Sequence, residues 1–165
     1  MTEKEYEDIQ KMVITELKKP VMYECIGKEK EFEQNVVDNI DLICDCLSLP
    51  EIYAVGRQKR IDVDNFSIKP DIIVRHVDGS FTIFEVKRYN DKYPGTGPAL
   101  QMNAVGQLLL YGNVFEAVYK EKVRLALIDN KIYYRTYCAF SGNNLPITLL
   151  DFQKDRLFVP YNGWR

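Results

Sequence analysis

Residues 70–89 read PDIIVRHVDGSFTIFEVKRY, and this stretch decides the fold. Residues 71–77 are rich in Val and Ile, the side chains that pack well on a pleated surface. Asp78-Gly79-Ser80 follows as a turn, with Gly79 free to take a positive φ. Residues 81–89 then return as a second strand. A hairpin centred on Asp78 and Gly79 makes facing residues sum to about 157, so Asp71 falls opposite Val86. It then stands within side-chain reach of Glu85 and Lys87, which leave one face of the strand because they are two apart. A slip of one residue would reverse the facing.

Working outward, residues 90–98 (NDKYPGTGP) form a Gly/Pro loop. Val105, Leu108, Leu109, Val114 and Val118 have helical spacing, which predicts a helix over 100–119. VRLALI (123–128) reads as a strand buried on both faces, and KIYYRTYCAF (131–140) as a further strand. SGNNLP is a loop, and the mixed pattern from Leu149 onward predicts no element. Upstream, IYAVGRQKRIDV (52–63) alternates as a strand, and DNFSIKP connects it to the hairpin. Two amphipathic helices precede it. The first covers 3–18, with Tyr6, Ile9, Val13 and Leu17 on one stripe and Pro20 as its stop. The second covers 28–47, with Phe32, Val36, Ile40, Ile43 and Leu47 inward and Pro50 as its close. The order ααβββαββ is that of one α/β domain over residues 1–165, built on a central mixed sheet flanked by helices.

The 165 residues include 22 Lys plus Arg, 24 Asp plus Glu and one His, a formal charge of −2, with 46% apolar residues. This is globular composition, and it excludes disordered or fibrous chains. The charge is split. Residues 1–52 carry 13 acids and 6 bases, whereas residues 53–165 carry 11 acids and 16 bases. A uniformly basic nucleic-acid coat is excluded, but a local anion-binding face is not. No apolar run approaches the roughly 20 residues of a membrane span. The acidic start MTEKEYEDIQKM lacks the apolar stretch of a secretion signal, so a cytoplasmic location is expected. Cys25, Cys44, Cys46 and Cys138 form no CxxC pair and read as free thiols, with Cys44 and Cys46 on different faces of their helix. The one histidine, His76, lies in a Val-rich strand. It supports neither a zinc site nor a Ser-His or Cys-His hydrolase.

The chemistry left to such a chain is that of carboxylates and lysine. Asp71, Glu85 and Lys87 gathered at one place suit a hard cation such as Mg²⁺ or Mn²⁺, which takes oxygen ligands and keeps several waters. A metal there acidifies a water, and the lysine orients it or stabilises developing charge, which hydrolyses a phosphodiester without Cys, Ser or His. The plainer alternative is an Asp71–Lys87–Glu85 salt-bridge network. On the following helix, Gln107 and Tyr111 are four apart and share a face, with helix-surface and core-edge roles as their plainer readings.

With Pro70-Asp71, Glu85-Val86-Lys87 and Gln107-Leu-Leu-Leu-Tyr111 in this order, the sequence resembles the PD-(D/E)XK nuclease superfamily, in the branch with a Gln-x-x-x-Tyr motif. The resemblance covers about residues 28–128. It implies a restriction-endonuclease-like αβββαβ core and metal-dependent cleavage of DNA or, less often, RNA, in repair, recombination, restriction or phage DNA processing. It also implies a bacterial, archaeal or phage origin. The helix KEKEFEQNVVDNI resembles the family's first core helix, where a glutamate completes the acidic cluster. Glu33 is assigned that place, with Glu29 as the alternative. Asp71, Glu85 and Glu33 are then the metal ligands, Lys87 activates the water, and Gln107 and Tyr111 position the lysine or the phosphate. The rival implication is an inactive nuclease-fold module that holds nucleic acid or a protein partner.

Three basic residues complete the expectation. Arg57 and Lys59 fall on one face by alternation, where they could contact phosphates. Arg88, with Lys92 and Tyr93, leads from the motif strand into the loop that would lie over the substrate backbone. Pairing of two copies, to cut both strands of a duplex, is left open.

Overall fold

Alternation in the 72–86 hairpin sorts its side chains onto two faces, and helices cover each face. The structure, a computed structural model, describes residues 2–11, 29–88, 97–153 and 156–164. The strands are β1 (Ile52–Arg57), β2 (Ile61–Val63), β3 (Phe66–Ile68), β4 (Ile72–His76), β5 (Phe81–Val86), β6 (Val123–Asp129), β7 (Ile147–Gln153) and β8 (Arg156–Tyr161). The helices are α1 (Glu3–Lys11), α2 (Glu29–Asp38), α3 (Ile40–Cys46), α4 (Gly97–Tyr119) and α5 (Tyr134–Gly142). Six strands form one mixed sheet in the order β1-β4-β5-β6-β7-β8, and β2 and β3 form a separate hairpin. β5, β6 and β7 are parallel, and the other pairings are antiparallel.

Ile72, Val74, Phe84 and Val86 project to one side, where they pack with Phe32, Val36, Ile40 and Ile43 of α2 and α3. Ile73, Phe81 and Ile83 project to the other, where Ala104, Leu108, Tyr111 and Phe115 of α4 cover them with Phe140 of α5. The result is a sheet buried on both faces, the α/β layering expected from the sequence. No helix among the described residues is long and apolar enough to cross a membrane.

The structure corrects several sequence expectations. The hairpin closes with His76 N–H donating to the Ser80 carbonyl at 2.8 Å and Gly79 at φ 90°, so three residues turn the chain rather than two. Facing residues therefore sum to 156, as in Ile73↔Ile83, and the register carries Asp71 opposite Glu85 instead of Val86. The turn is held by Asp78, whose Oδ1 accepts from Ser80 N–H at 2.9 Å and from Ser80 Oγ at 2.6 Å.

The 52–63 strand is two strands, because Gln58 takes a left-handed φ of 51° and ends the alternation. The 64–70 connection contains β3. The single helix expected over 28–47 breaks at Asn39, at φ −110° and ψ 13°. The first helix is described to Lys11, and its expected continuation to residue 18 lies outside the described residues.

Residues 131–140, expected as a strand, instead enter helix α5. Its aromatic composition favours strands locally, but β6 and β7 are parallel neighbours, and parallel strands need a crossover rather than a tight turn. Thr136 and Phe140, one helical turn apart, are the residues α5 buries. The tail left unassigned supplies β7 and β8, with β7 buried along most of its length. His76 is a core histidine. It is buried, with Nδ1 2.8 Å from the Pro50 carbonyl and Nε2 2.8 Å from Thr82 Oγ1, and burial lowers its pKa. Cys44 is buried and Cys46 exposed, so the two do face apart.

Candidate active site

Asp71 stands just before β4, and Glu85 and Lys87 stand at the carboxyl end of β5, on the face covered by α4. Two donors hold the Asp71 carboxylate. Oδ2 accepts from the backbone N–H of Val86 at 2.8 Å, and Oδ1 accepts from the Gln58 amide at 2.8 Å. The strand after Asp71 is thus tied to the strand carrying Glu85 at the point where both acids emerge.

Glu85 is 4% exposed. Its Oε1 accepts from Lys87 Nζ at 3.3 Å. Its Oε2 is buried with no hydrogen-bond partner, one of two such side-chain atoms among the described residues; the other, Asn39 Oδ1, lies at the break between α2 and α3. A buried carboxylate oxygen without a donor carries its full desolvation cost. Accordingly the Glu85 pKa is pushed up to about 7. Burial is the main cause and the Asp71 charge the next, against a downward pull from Lys87. Lys87 is itself largely buried and is anchored through its backbone, whose N–H donates to the Ile128 carbonyl of β6 at 2.9 Å.

Tyr111 enters from α4. It is buried, and its hydroxyl is pushed up to about 12, first by burial and then by the charges of Glu85 and Asp71. It is therefore a neutral hydroxyl in the field of both acids. Gln107, one turn earlier, is exposed on α4.

Glu33 reaches this region from α2, below the opposite face of the sheet. It is buried, accepting from Arg57 Nε at 2.7 Å and from Gln58 Nε2 at 3.1 Å. Gln58 is the residue that sequence reasoning missed. Its amide nitrogen donates to both Glu33 and Asp71, and its backbone N–H donates to the Asp71 carbonyl at 2.9 Å. Nothing in the run GRQKR marks that position, because its role depends on the left-handed turn that aims it. The same turn separates Arg57 from Lys59, against the expectation that they share a face. Arg57 points to α2, where it binds Glu33, the side-chain oxygen of Gln34 and the Lys30 carbonyl. The Lys59 stem instead lies across Gly56 on the α4 side, with Cδ 3.1 Å from where a Cβ on Gly56 would stand. Arg88 follows Lys87 and is half-buried. The side chain of Glu29, and Lys92 and Tyr93, lie outside the described residues.

Among the described residues, no group of three or more His, Cys, Asp or Glu gathers to hold a metal ion. The set with spare ligand capacity is the pair Asp71 and Glu85, with Glu33 joined to it through Gln58. The orphaned Glu85 oxygen beside a second carboxylate fits a hard divalent cation that retains most of its waters.

No family model matches the sequence, and no curated protein is similar to it in sequence. The structure is similar to the crystal structure of a repair endonuclease from Pyrococcus abyssi, with a TM-score of 0.51 and 18% identity. The fold is restriction-endonuclease-like. That match covers 80% of this chain and 49% of the endonuclease. The fold is also similar to Can2 from Sulfobacillus thermosulfidooxidans, solved in complex with cyclic tetra-adenylate, with a TM-score of 0.53 and 15% identity over 74% of this chain and 32% of Can2. The chain thus spans about half of the endonuclease and a third of Can2, and at these identities it is the fold that is shared.

Proposed function

We propose that the chain is a divalent-metal-dependent nuclease that hydrolyses phosphodiester bonds of DNA. One observation carries this reading: a buried Glu85 oxygen with no donor, beside Asp71 and two residues from Lys87. A folded protein tolerates such an oxygen where something outside the chain completes its shell. Asp71 and Glu85 would hold Mg²⁺ or Mn²⁺, whereas Glu33, expected as a third ligand, is taken up by Arg57 and Gln58 and reaches Asp71 only through the shared Gln58 amide. When bound, the ion would polarise a phosphoryl oxygen and acidify a water.

The chain's own residues supply the rest. Val86 N–H and the Gln58 amide fix the Asp71 carboxylate, so it needs no reorientation when substrate arrives. Lys87 leaves the same strand face as Glu85, where it orients the attacking water and stabilises negative charge on the phosphoryl oxygens. Neutral Tyr111 closes the site from α4, and exposed Gln107 lies one turn away, open to a phosphate.

The test is cleavage of plasmid and single-stranded DNA with Mg²⁺, Mn²⁺ or EDTA, comparing wild type with Lys87→Ala. Cutting should require the metal and fall by about 10²–10⁴ in the variant. Metal-independent cutting, or an unimpaired variant, overturns the reading.

A further inference from the structure

On the α4 side of the sheet, a cleft of about 340 Å³ runs along β1, floored by Ile73 and Phe81 and walled by the segment between β1 and β2. Ile73 of the cleft floor and Asp71 are two residues apart on one strand face, about 7 Å along the strand. Among the described residues, Lys59, Arg60 and Arg75 line it and no carboxylate does. Arg60 is paired with Asp62 outside the lining.

The cleft also exposes two aromatic side chains. Tyr53 is 69% exposed and Tyr119 is 44% exposed. Pairing of β1 with β4 shifts register between Ile52 and Ala54, so Tyr53 is the extra residue of a bulge, a device that re-aims one side chain off a strand. The Arg75 guanidinium lies 5.4 Å from the Tyr53 ring centre and 5.9 Å from that of Phe81, whose ring is 5.0 Å from Tyr119. A tyrosine this exposed, turned out by a bulge with an arginine over its ring, buries little apolar area of its own.

We infer that this cleft binds an unpaired stretch of the DNA strand, with bases stacked on Tyr53 and Tyr119 and phosphates on Lys59 and Arg75. The identity of the strand rests on the nuclease reading above. Base faces inside a duplex are already covered by their neighbours. Exposed rings therefore reward only unpaired nucleotides, whereas cations alone would serve single and double strands alike.

The experiment is fluorescence anisotropy of a labelled oligodeoxythymidine and of a blunt duplex of equal length, in EDTA, with cleavage in Mn²⁺ followed in parallel. The single strand should bind at least about tenfold more tightly than the duplex. Tyr53→Ala should lose about tenfold or more for the single strand and leave the duplex unchanged, with Tyr53→Phe restoring binding. Tyr119→Ala should weaken single-strand binding in the same direction. Lys59→Ala should weaken both and reduce the salt slope by about one. Equal affinity for the two DNAs, or single-strand binding unaffected by Tyr53→Ala, overturns the inference even if the protein cuts DNA. Tight single-strand binding that needs Tyr53, with no cleavage in any metal, would sustain the cleft and overturn the nuclease reading alone.

Discussion

Two pairs of acids sit at strand ends of one sheet, and the hydrogen bonds to their carboxylate oxygens set them apart. Asp129 and Asp151 stand side by side at the ends of β6 and β7. All four of their carboxylate oxygens have donors. Gln101 Nε2 donates to Asp129 Oδ2 at 2.8 Å, and Lys131 N–H donates to Oδ1 at 3.3 Å. Ile132 N–H donates to Asp151 Oδ2 at 3.0 Å, and Gln153 Nε2 donates to Oδ1 at 2.8 Å. Asp71 and Glu85 lack one donor, at Glu85 Oε2. Glu85, Asp129 and Asp151 are buried, and Asp71 is half-buried. The missing hydrogen bond is the feature on which the proposed metal site rests, and the Asp129–Asp151 pair has a donor at every oxygen.

The sharpest way to break this comparison is to remove the lysine. Lys87→Ala should lower metal-dependent cleavage by about 10²–10⁴ while circular dichroism shows an intact fold. Asp129→Ala should do the reverse. By removing the acceptor of the Lys131 N–H and one of the two acceptors of the Gln101 amide, it should cost about 1–3 kcal/mol in urea unfolding, with cleavage by the remaining folded protein still metal-dependent.

The next effect concerns pH. The folded pKa of Glu85 is raised from 4.5 to about 7, so its contribution to the stability of metal-free protein is full below about pH 4.5 and is lost as pH rises through about 7. Glu85→Gln removes that loss. At pH 8 in EDTA it should be about 2–3 kcal/mol more stable than wild type by urea melts, with little difference at pH 4.5. Mn²⁺ should raise the Tm of wild type at pH 8 and leave that of Glu85→Gln unchanged. A metal-free wild type more stable at pH 8 than Glu85→Gln would equate the two acid pairs.

The smallest effect lies at Gln58. Replacing it with Ala frees one Asp71 oxygen and one Glu33 oxygen, and should weaken Mn²⁺ binding about 10–100-fold by calorimetric titration. An unchanged affinity would show that Glu33 and Asp71 need no bridge.

How much of this could be read from the chain varies with how local the cause is. The hairpin, the α4 helix and the grouping of Asp71, Glu85 and Lys87 follow from patterns within about twenty residues, and they were legible. The register was off by one because an Asp-Gly pair serves two-residue and three-residue turns equally well. Its true value improves the site, since Asp71 then faces Glu85 directly. α5 was illegible because Tyr-rich residues 133–137 favour a strand, and only the distant need to join two parallel strands makes them helical. Glu33 was placed near the site by resemblance, but its contacts with Arg57 and Gln58 cross from α2 to β1 and leave no mark in either segment. The same holds for Tyr53, whose prominence comes from a bulge that alternation does not display.

The bond from Lys87 N–H to the Ile128 carbonyl has a consequence for the newly made chain. β5 is synthesised well before β6, with the whole of α4 between them. The acids can therefore gather at the hairpin, a local structure, while the lysine still lacks its anchor. Such separation in sequence slows assembly, because the intervening loop must close first. A chain still emerging from the ribosome thus carries Asp71, Glu85 and Lys87 together before the Lys87 backbone has its partner in β6. The end of the hairpin that carries all three is then fixed last, with completion of the parallel sheet.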